Sequence, residues 1–320
     1  MNTCYRWLCR RAAFVVLAAM GGIGAASADV VPAPSSSLRV GSYNIRTMHA
    51  DKRSANAWRL RKNDLISLMR RLDYDVVGLQ ESFPMQSAYI TNSMPDYALI
   101  GSINGAEVKK GVTSPICYRT LRIEPLKSGA FWLSTTPDAP GGYTWDSSPH
   151  TRLCVWALMK DRATSKVFCF INTHTDHVGK IARHEGIKLI MQRMDGFVPS
   201  GTPVVFTGDH NCVETEEAAK ESAKRLRDAL FLTESPAKGP WRTYNGRNWR
   251  ASEISAVDAL KMSAKERNVF KRFGGLRVDY IYVSDGVRVL DYAVDSSSRP
   301  GGVKLYPSDH FPLVATIEFN

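Results

Sequence analysis

Acids, amides and histidines follow strand-like segments at several points of the chain, and their types suit hydrolytic chemistry. The segments are apolar and stop or start at a polar residue, as in "KVFCFINTH" and "TPVVFTGDHN". The residues concerned are Asn44, Glu81, His174, Asp209, Asn211, Asp279, Asp309 and His310. Loops at strand ends on a rigid scaffold are where catalytic side chains are usually found. No nucleophile motif such as G-x-S-x-G accompanies them, so the set favours metal-assisted chemistry.

The end of the chain places an acid directly beside an imidazole. Asp309 and His310 stand between Pro307 and Pro312, just ahead of a strand predicted over 313–319. Serine and aspartate before a strand also form ordinary turns. This pair alone therefore fits either a turn or half of an active site, and the rest of the chain has to decide.

Strands and helices alternate from residue 38 to the end of the chain. Apolar residues at helical spacing predict helices over 56–72, 183–194 and 216–230. Two strand signals joined around residues 162–165 predict a hairpin. Because no linker, repeat or low-complexity block interrupts residues 38–320, we expect a single domain there.

Residues 1–28 have the pattern of a secretory signal peptide. Three arginines precede a short apolar run, and Ala-Ser-Ala at 26–28 is a small-x-small cleavage site. The run is short and rich in Gly and Ala, so cleavage after Ala28 is favoured over a retained membrane anchor. We expect a secreted or periplasmic protein with a Pro- and Ser-rich linker over 29–37. No later stretch is apolar for the length that a membrane span needs.

The chain is strongly basic. Its formal net charge is +11, and loss of residues 1–28, which hold three Arg and no acid, leaves +8. Much of the excess lies in residues 241–277, where nine Lys and Arg stand against three acids, a net of +6. Such a segment favours a polyanionic partner such as nucleic acid. A solvated helical insertion and charge that serves solubility are the alternatives.

Four cysteines remain after loss of the signal peptide: Cys117, Cys154, Cys169 and Cys212. An even number in an oxidising compartment permits disulfides, in three possible connectivities. Buried free thiols are the alternative for all of them. Their spacing matches no zinc pattern.

Seven short motifs occur in a fixed order along residues 38–320. They are "SYNIR", "DYDVVGLQES", "FWLSTTP", "NTHTDH", "GDHN", "VDYIYVS" and "SDHFPLVATI". Together they resemble the endonuclease/exonuclease/phosphatase superfamily. The resemblance implies an α/β (α+β) fold, a DNase I-like four-layer sandwich of two packed mixed β-sheets flanked by helices. Arg46 departs from the repair-type relatives, which carry an acid two residues after the asparagine, and this argues against the abasic-site repair branch.

The resemblance implies a metal site and a set of phosphate contacts. Glu81, Asn44 and Asp309 would hold Mg²⁺ or Mn²⁺, since such hard cations take oxygen ligands and keep water in their other positions. The phosphate contacts implied are Arg152, Asn211 and His174.

The resemblance also implies five catalytic residues, which are His310, Asp279, Asp209, His174 and Asn211. His310 would act as a general base or as a phosphate-stabilising imidazole, with Asp279 fixing its tautomer. Asp209 would orient an attacking water while Asn211 donates to a phosphoryl oxygen. Because these two are two residues apart, their side chains would point the same way on an extended segment.

The activity implied is hydrolysis of a P–O ester by in-line attack of water. The basic charge favours a phosphodiesterase or nuclease acting on DNA or RNA, from a chain that we expect to be a monomer. The alternatives are a phosphatase or lipid-headgroup phosphodiesterase, acting on inositol phosphate or sphingomyelin, and a catalytically silent secreted binding protein. Two histidines stay open: His177 is either a site residue or structural, and His210, where relatives often carry an apolar residue, is expected to pack.

Overall fold

The part of the chain that can be described is most of the region after the predicted linker. The computed structural model describes residues 36–101, 113–142, 144–245, 258, 260–261, 263, 276–297 and 305–320. The predicted signal peptide, all but two residues of the linker and most of the basic segment lie outside them. No helix within the described ranges is long and apolar enough to cross a membrane.

Strands and helices alternate along the described chain, as their apolar spacing predicts. The strands are β1 (Leu38–Asn44), β2 (Val76–Gln80), β3 (Tyr97–Ile100), β4 (Ile116–Arg119), β5 (Ile123–Trp132), β6 (Leu153–Asp161), β7 (Val167–His174), β8 (Val204–Asp209), β9 (Arg227–Asp228), β10 (Asp279–Val283), β11 (Val287–Val294) and β12 (Leu313–Phe319). The α-helices are α1 (Trp58–Leu72), α2 (Pro84–Ser93), α3 (Lys180–Phe197) and α4 (Glu217–Ala223).

The strands form two mixed sheets of six strands each, in the orders β11-β12-β1-β2-β4-β3 and β5-β6-β7-β8-β10-β9. β1 is parallel to β2, and β7 is parallel to β8, so these four strands end at one edge of each sheet. β12 and β10 run antiparallel to β1 and β8, so their first residues lie at the same edge. We call this edge the rim.

Three apolar clusters hold the sheets and helices in layers. The first lies between the two sheets and includes Val40 and Val76 from one sheet, with Phe170 and Val205 from the other. The second covers the outer face of the β5–β10 sheet with α3 and α4, and the third packs α1 and α2 on the other sheet. Burial of apolar faces on both sides of each sheet produces this layering. The predicted α/β sandwich of two mixed sheets is confirmed.

The local predictions hold except at one helix. The predicted helix over 56–72 is α1, and the predicted hairpin is β6–β7. The predicted helix over 216–230 is wrong beyond Ala223, where α4 ends. Arg227–Asp228 instead pairs with β10, and the Asp228 side chain accepts from Leu230 N to start a 3₁₀ turn. Tertiary strand pairing overrides helix propensity there.

A buried polar layer ties the two sheets together below the rim. Asn172 on β7 donates through Nδ2 to the carbonyl oxygens of Leu79 and Ser114, both at 2.9 Å. Its Oδ1 accepts from Gln80 Nε2 at 2.7 Å and from Thr207 Oγ1 at 3.1 Å. On β7 and β8, Asn172 and Thr207 each lie two residues before a predicted site residue, and such residues share one face of a strand. This layer therefore supports the rim from beneath.

The four cysteines of the described chain are all free and buried. Burial raises the pKa of Cys117 and Cys169 to about 12. Thiols of this kind stay protonated and unreactive at neutral pH. The structure therefore corresponds to the free-thiol alternative.

Candidate active site

Most of the predicted site residues line one cavity of about 700 Å³ at the rim. Those that line it are Glu81, Arg152, His174, Asp209, Asn211, Asp309 and His310. Asn44 and Asp279 hydrogen bond to two of them, Asp209 and His310. All nine predicted residues are therefore brought together, because each stands at or next to a strand end on the same rim.

The Asn44 amide connects the two sheets across the cavity floor. Its Nδ2 donates to Asp209 Oδ2 at 2.9 Å and lies 3.3 Å from Glu81 Oε1.

Positive φ angles occur at Arg46 (55°), Glu81 (58°) and Asn211 (47°). Backbone strain of this kind in residues other than glycine persists only where the surroundings hold it in place.

His310 and Asp279 form a buried pair. His310 Nδ1 donates to Asp279 Oδ2 at 2.8 Å. Asp279 pairs with Asp209 in the β10–β8 ladder, which places Asp209 Oδ2 3.7 Å from His310 Nε2. Burial opposes a charge on His310, but Asp279 and Asp209 outweigh it and raise the pKa of His310 to about 10. His310 is therefore protonated at neutral pH, as a charged donor in the cavity.

Asp209 lies at the centre of this arrangement. Its Oδ1 accepts from Asn211 N at 2.9 Å, and its Oδ2 is 3.3 Å from His174 Nε2. Burial raises the pKa of Asp209, although the neighbouring His310 acts in the opposite direction. A carboxylate whose pKa is raised is better suited to accept a proton from water.

Asn211 reaches the cavity by a turn. The prediction of an extended segment from Asp209 to Asn211 is wrong, because Asn211 is left-handed, at φ 47°. The turn is closed by the Asp209 carboxylate, which accepts from the Asn211 backbone amide. Asn211 Nδ2 then lies 2.9 Å from His174 Nε2 and donates to Thr175 O at 3.1 Å. Burial and the charge of Arg152 lower the pKa of His174 well below its usual value, so the ring is neutral.

Glu81 is held as an anion at the end of β2. Its Oε2 accepts from the backbone amide of Thr47 at 2.8 Å. Burial favours the neutral acid, but the Thr47 amide and the charge of Arg46 outweigh it and lower the pKa of Glu81. The carboxylate is therefore ionised and available as an oxygen ligand.

Arg46 is a cavity residue that the motifs did not assign to the site. Its Nη1 lies 3.2 Å from Asp309 Oδ2, and its Nε lies 3.5 Å from Asp51 Oδ2. The only sequence signal for Arg46 is its position. It is a basic residue two positions after Asn44, where repair-type relatives carry an acid. The ion pair shows that Asp309 interacts with a fixed cation as well as facing the cavity.

Arg152 lies in the cavity with a histidine beside it. Its Nη2 donates to His177 Nδ1 at 3.1 Å, and the His177 ring lies 5.6 Å from that of His150. Within the described ranges, no carboxylate lies within ion-pairing distance of Arg152. Its Nε also has no hydrogen-bonding partner there. Arg152 is thus a cation available to an anionic ligand, and His177 lies at the cavity wall.

Other wall residues were not predicted. They include Thr47, His49, Phe83, Tyr244 and Leu276. Tyr244 packs against the His310 ring at 5.0 Å, and His49 meets Phe83 edge-on at 4.4 Å. Because aromatic residues usually fill cores, their types alone could not separate a cavity wall from the interior.

The oxygen donors at the cavity fit a hard divalent cation. Glu81 is ionised, and the Asp309 carboxylate stands on the same wall. Asp209, Asp279 and His310 also place one ligand atom each within 4.8 Å of one another. Asp279 Oδ1 is buried and has no hydrogen-bonding partner in the described part of the chain. Several carboxylate oxygens gathered at one cavity match the ligands that Mg²⁺ and Mn²⁺ prefer.

His210 is buried among aromatic rings. Its ring centroid lies 4.9 Å from that of Phe206 and 5.2 Å from that of Tyr280. Neither ring nitrogen has a hydrogen-bonding partner among the described residues. Burial, assisted by the charge of Arg277, lowers the pKa of His210 to about 3. The structure thus gives His210 the packing role expected from the sequence.

We expect His210 to weaken the protein in acid. The folded ring stays neutral, whereas the unfolded ring takes up a proton below its usual pKa of 6.5. Above that pH, His210 therefore leaves the free energy of unfolding unchanged. As the pH falls from 6.5 towards 3, the free energy of unfolding decreases, by about 2 kcal/mol at pH 5. The change His210→Met keeps the volume and removes the titration, so the free energy of unfolding in urea should depend less on pH.

The measurement compares unfolding of wild type and His210→Met near neutral pH and near pH 5. His184→Met, on the partly exposed surface of α3, serves as the control. An identical loss of stability in wild type and His210→Met would contradict the assignment.

Comparisons with known proteins agree with this architecture. A family model described as Endonuclease/Exonuclease/phosphatase family matches residues 41–310. Among curated protein sequences, a search finds no match to the chain. A solved endonuclease/exonuclease/phosphatase family protein from Bacteroides thetaiotaomicron is 28% identical, with a TM-score of 0.74 over 89% of this chain and 98% of the other.

Two further solved structures are similar. A mannosyl-6-phosphatase from Bacteroides thetaiotaomicron is also 28% identical, with a TM-score of 0.74 over 88% of this chain and 100% of its own. The human Nocturnin catalytic domain, with bound sulfate, shares the fold at 18% identity and a TM-score of 0.60. That alignment covers 89% of this chain and 94% of the Nocturnin domain.

Proposed function

Since the chain belongs to the endonuclease/exonuclease/phosphatase family, we propose that it is a metal-dependent hydrolase of phosphate esters. One observation carries this proposal. His310, which is hydrogen bonded to Asp279, and Asp209 line the same cavity as Arg152, a cation with no carboxylate partner in the described chain. A proton acceptor, a charged donor and an anion-binding group in one cavity are what attack of water on a phosphate ester requires.

Each side chain has a stated task in this proposal. Asp209 orients the attacking water and takes its proton. His310, held protonated by Asp279, donates from Nε2 to a phosphoryl oxygen, and Asn211 donates to another. Arg152 binds the phosphate and keeps it aligned. Donors placed in advance at the developing charge need no reorganisation during the reaction, which is why they are effective.

Glu81, Asn44 and Asp309 would hold the divalent cation, Mg²⁺ or Mn²⁺. When bound, the cation supplies neutralisation of charge on the phosphate group. The support within this chain is the ionised Glu81 carboxylate, held by Thr47 N, and the position of Asp309 on the same cavity wall.

The substrate that we favour is a small phosphate monoester such as a sugar phosphate. A solved structure that is 28% identical over 88% of this chain carries the name mannosyl-6-phosphatase. The cavity of about 700 Å³ is of a size that takes a small molecule. Arg46 and Arg152 both line it, which suits the double negative charge of a monoester.

Nucleic acid is the second candidate substrate. It is favoured by the net charge of +8 that remains after loss of residues 1–28 and by the basic segment 241–277, most of which lies outside the described residues. Binding of a polyanion through Lys and Arg releases counterions, so activity on long DNA or RNA should fall steeply with salt. A lipid-headgroup phosphodiesterase and a silent binding protein remain as further alternatives.

A substrate panel tests the proposal. Hexose 6-phosphates, p-nitrophenyl phosphate, bis-p-nitrophenyl phosphate, plasmid DNA, RNA, inositol phosphates and sphingomyelin are each tested with Mg²⁺, Mn²⁺, Ca²⁺ or chelator. We expect the highest kcat/KM on a monoester with Mg²⁺ or Mn²⁺. Preference for diesters and salt-sensitive cleavage of DNA or RNA would favour the second candidate. A folded protein that hydrolyses none of them would refute the phosphoesterase proposal.

The location of the protein is part of the proposal. The basic, apolar and small-residue pattern of residues 1–28 supports export and cleavage after Ala28. Residues 38–320 would then act as a monomeric catalytic domain in the periplasm or outside the cell.

A further inference from the structure

Arg61 on α1 is buried, and within the described part of the chain all of its hydrogen bonds go to backbone carbonyl groups. It is 1% exposed. Its Nη1 donates to Ile45 O and Pro307 O, both at 2.7 Å, its Nη2 donates to Arg46 O at 2.6 Å, and its Nε donates to Asn56 O at 3.0 Å. No carboxylate of the described residues lies within ion-pairing distance of its guanidinium.

These carbonyl groups lie beyond the end of the β1–β12 ladder. The last paired residues of that ladder are Ser42 and Leu313. Past this point, the chain after β1 and the chain before β12 leave the sheet, and buried carbonyl groups there need other donors. Arg61 supplies them to both segments at once, and Ser308 Oγ adds a second tie by donating to Asn44 O at 2.6 Å.

The two segments carry opposite parts of the candidate active site. On the β1 side, Arg46 N donates to Asn44 Oδ1 at 3.0 Å, and Thr47 N donates to Glu81 Oε2 at 2.8 Å. On the β12 side, Asp309 and His310 follow Pro307 within three residues. The distance between the Glu81 side and the His310 side of the cavity therefore depends on what holds these two segments together.

We propose that Arg61 is a positioning residue, whose guanidinium holds the loop after β1 against the segment before β12 and so sets the geometry of the active site. It does not line the large cavity; it lines a smaller one of about 50 Å³ beside Arg46 and Asp309. This inference rests on the proposed function for its effect on catalysis, and on the hydrogen bonds alone for its effect on structure.

Lysine cannot replace Arg61 in this position. The guanidinium presents a planar fork of donors that reaches several carbonyl groups in fixed directions, whereas an ammonium is a single point at the end of a flexible chain. Arg61→Lys therefore keeps the charge and loses the bridge. Because displacement of a catalytic group by about 1 Å costs roughly 100-fold in rate, we expect kcat to fall about 10- to 100-fold. KM should change little, since Arg61 does not face the substrate cavity.

The test compares wild type, Arg61→Lys and Arg59→Lys, the last being an exposed arginine on the same helix. Kinetics on the best substrate of the panel give kcat and KM separately, and circular dichroism with urea unfolding checks that each variant is folded. Hydrogen–deuterium exchange follows the amides of residues 44–48, Tyr306 and 308–310. In Arg61→Lys these amides should exchange faster, while those of the central strands stay protected.

The outcomes are separable. A folded Arg61→Lys with wild-type kcat and unchanged exchange would overturn the inference. If the wild type hydrolyses nothing in the panel, the proposed function fails. The exchange measurement still tests whether Arg61 holds the two segments together. If Arg61→Lys does not fold, Arg61→Gln takes its place, because it removes the buried charge and loses most of the donors to Ile45 O, Arg46 O and Pro307 O. A wild-type kcat and unchanged exchange in that variant would then overturn the inference.

Discussion

We expect replacement of His310 with glutamine to lower kcat by about 10³-fold, within the range that positioned acid–base groups contribute. Glutamine still offers a donor to Asp279, so the buried carboxylate keeps a partner and the fold is preserved. It lacks the positive charge that Asp279 and Asp209 maintain on the imidazole, which we assign to the phosphoryl oxygen. KM should change much less than kcat, because the charge matters most where negative charge develops.

The measurement is steady-state kinetics on the best substrate of the panel, with Mg²⁺ held at saturation. His184→Gln, a partly exposed histidine on α3, is the matched control. Asp279→Asn should give a smaller loss, and the double variant with His310→Gln should lose little more than His310→Gln alone, because the two residues act as a unit. Additive losses would show that the pair does not act through one imidazole. Full activity in His310→Gln would remove it from the mechanism.

If Glu81, Asn44 and Asp309 hold the cation, we expect chelation to abolish activity and Mg²⁺ or Mn²⁺ to restore it. Glu81→Gln keeps the size of the side chain and removes its charge, which the Thr47 amide and Arg46 now stabilise. We expect Glu81→Gln to lower the affinity for the cation by more than roughly 10- to 100-fold, which is the loss when a residue that only hydrogen bonds to a metal ligand is removed. Activity at low Mg²⁺ should fall accordingly and recover in part at high Mg²⁺.

Two readouts test this, a Mg²⁺ titration of activity and calorimetric binding of Mn²⁺, which needs no substrate. Glu217→Gln, at an exposed position on α4, is the control. Wild-type Mn²⁺ binding by Glu81→Gln would contradict the ligand assignment. If Asp209→Asn or Asp279→Asn instead abolished binding, the ligands would be the Asp209, Asp279 and His310 group.

The basic segment of residues 241–277 has a structural part that bears on the site. Thr243 Oγ1 accepts from Asp279 N at 3.0 Å, and Asn245 N donates to Asp309 O at 2.8 Å. The first residues of the segment thus brace both acids next to His310. Charge counting in the sequence could indicate a polyanion partner but not this role, because it depends on backbone contacts with distant strands.

The sequence by itself determined most of the elements and nine polar residues that the structure brings together at the rim. Apolar spacing marks α1 and the strands because helix and strand periods are local properties of the chain. Polar residues at the ends of those strands, such as Glu81, His174 and Asp209, predict a site at one edge of the sheets, because strand ends also follow from local residue patterns. The α4 prediction extended too far, since pairing of Arg227–Asp228 with β10 is not a local property.

Only the tertiary structure decided how these residues meet. The Asn44–Asp209 hydrogen bond across the two sheets, the Arg46–Asp309 ion pair and the Arg61 contacts join segments far apart in sequence. The left-handed turn at Asn211 depends in the same way on the carboxylate that closes it. Residue types and their spacing do not show which residues far apart in sequence will be in contact. These contacts arise when the two sheets pack, because most polar groups buried at the rim then form hydrogen bonds with each other.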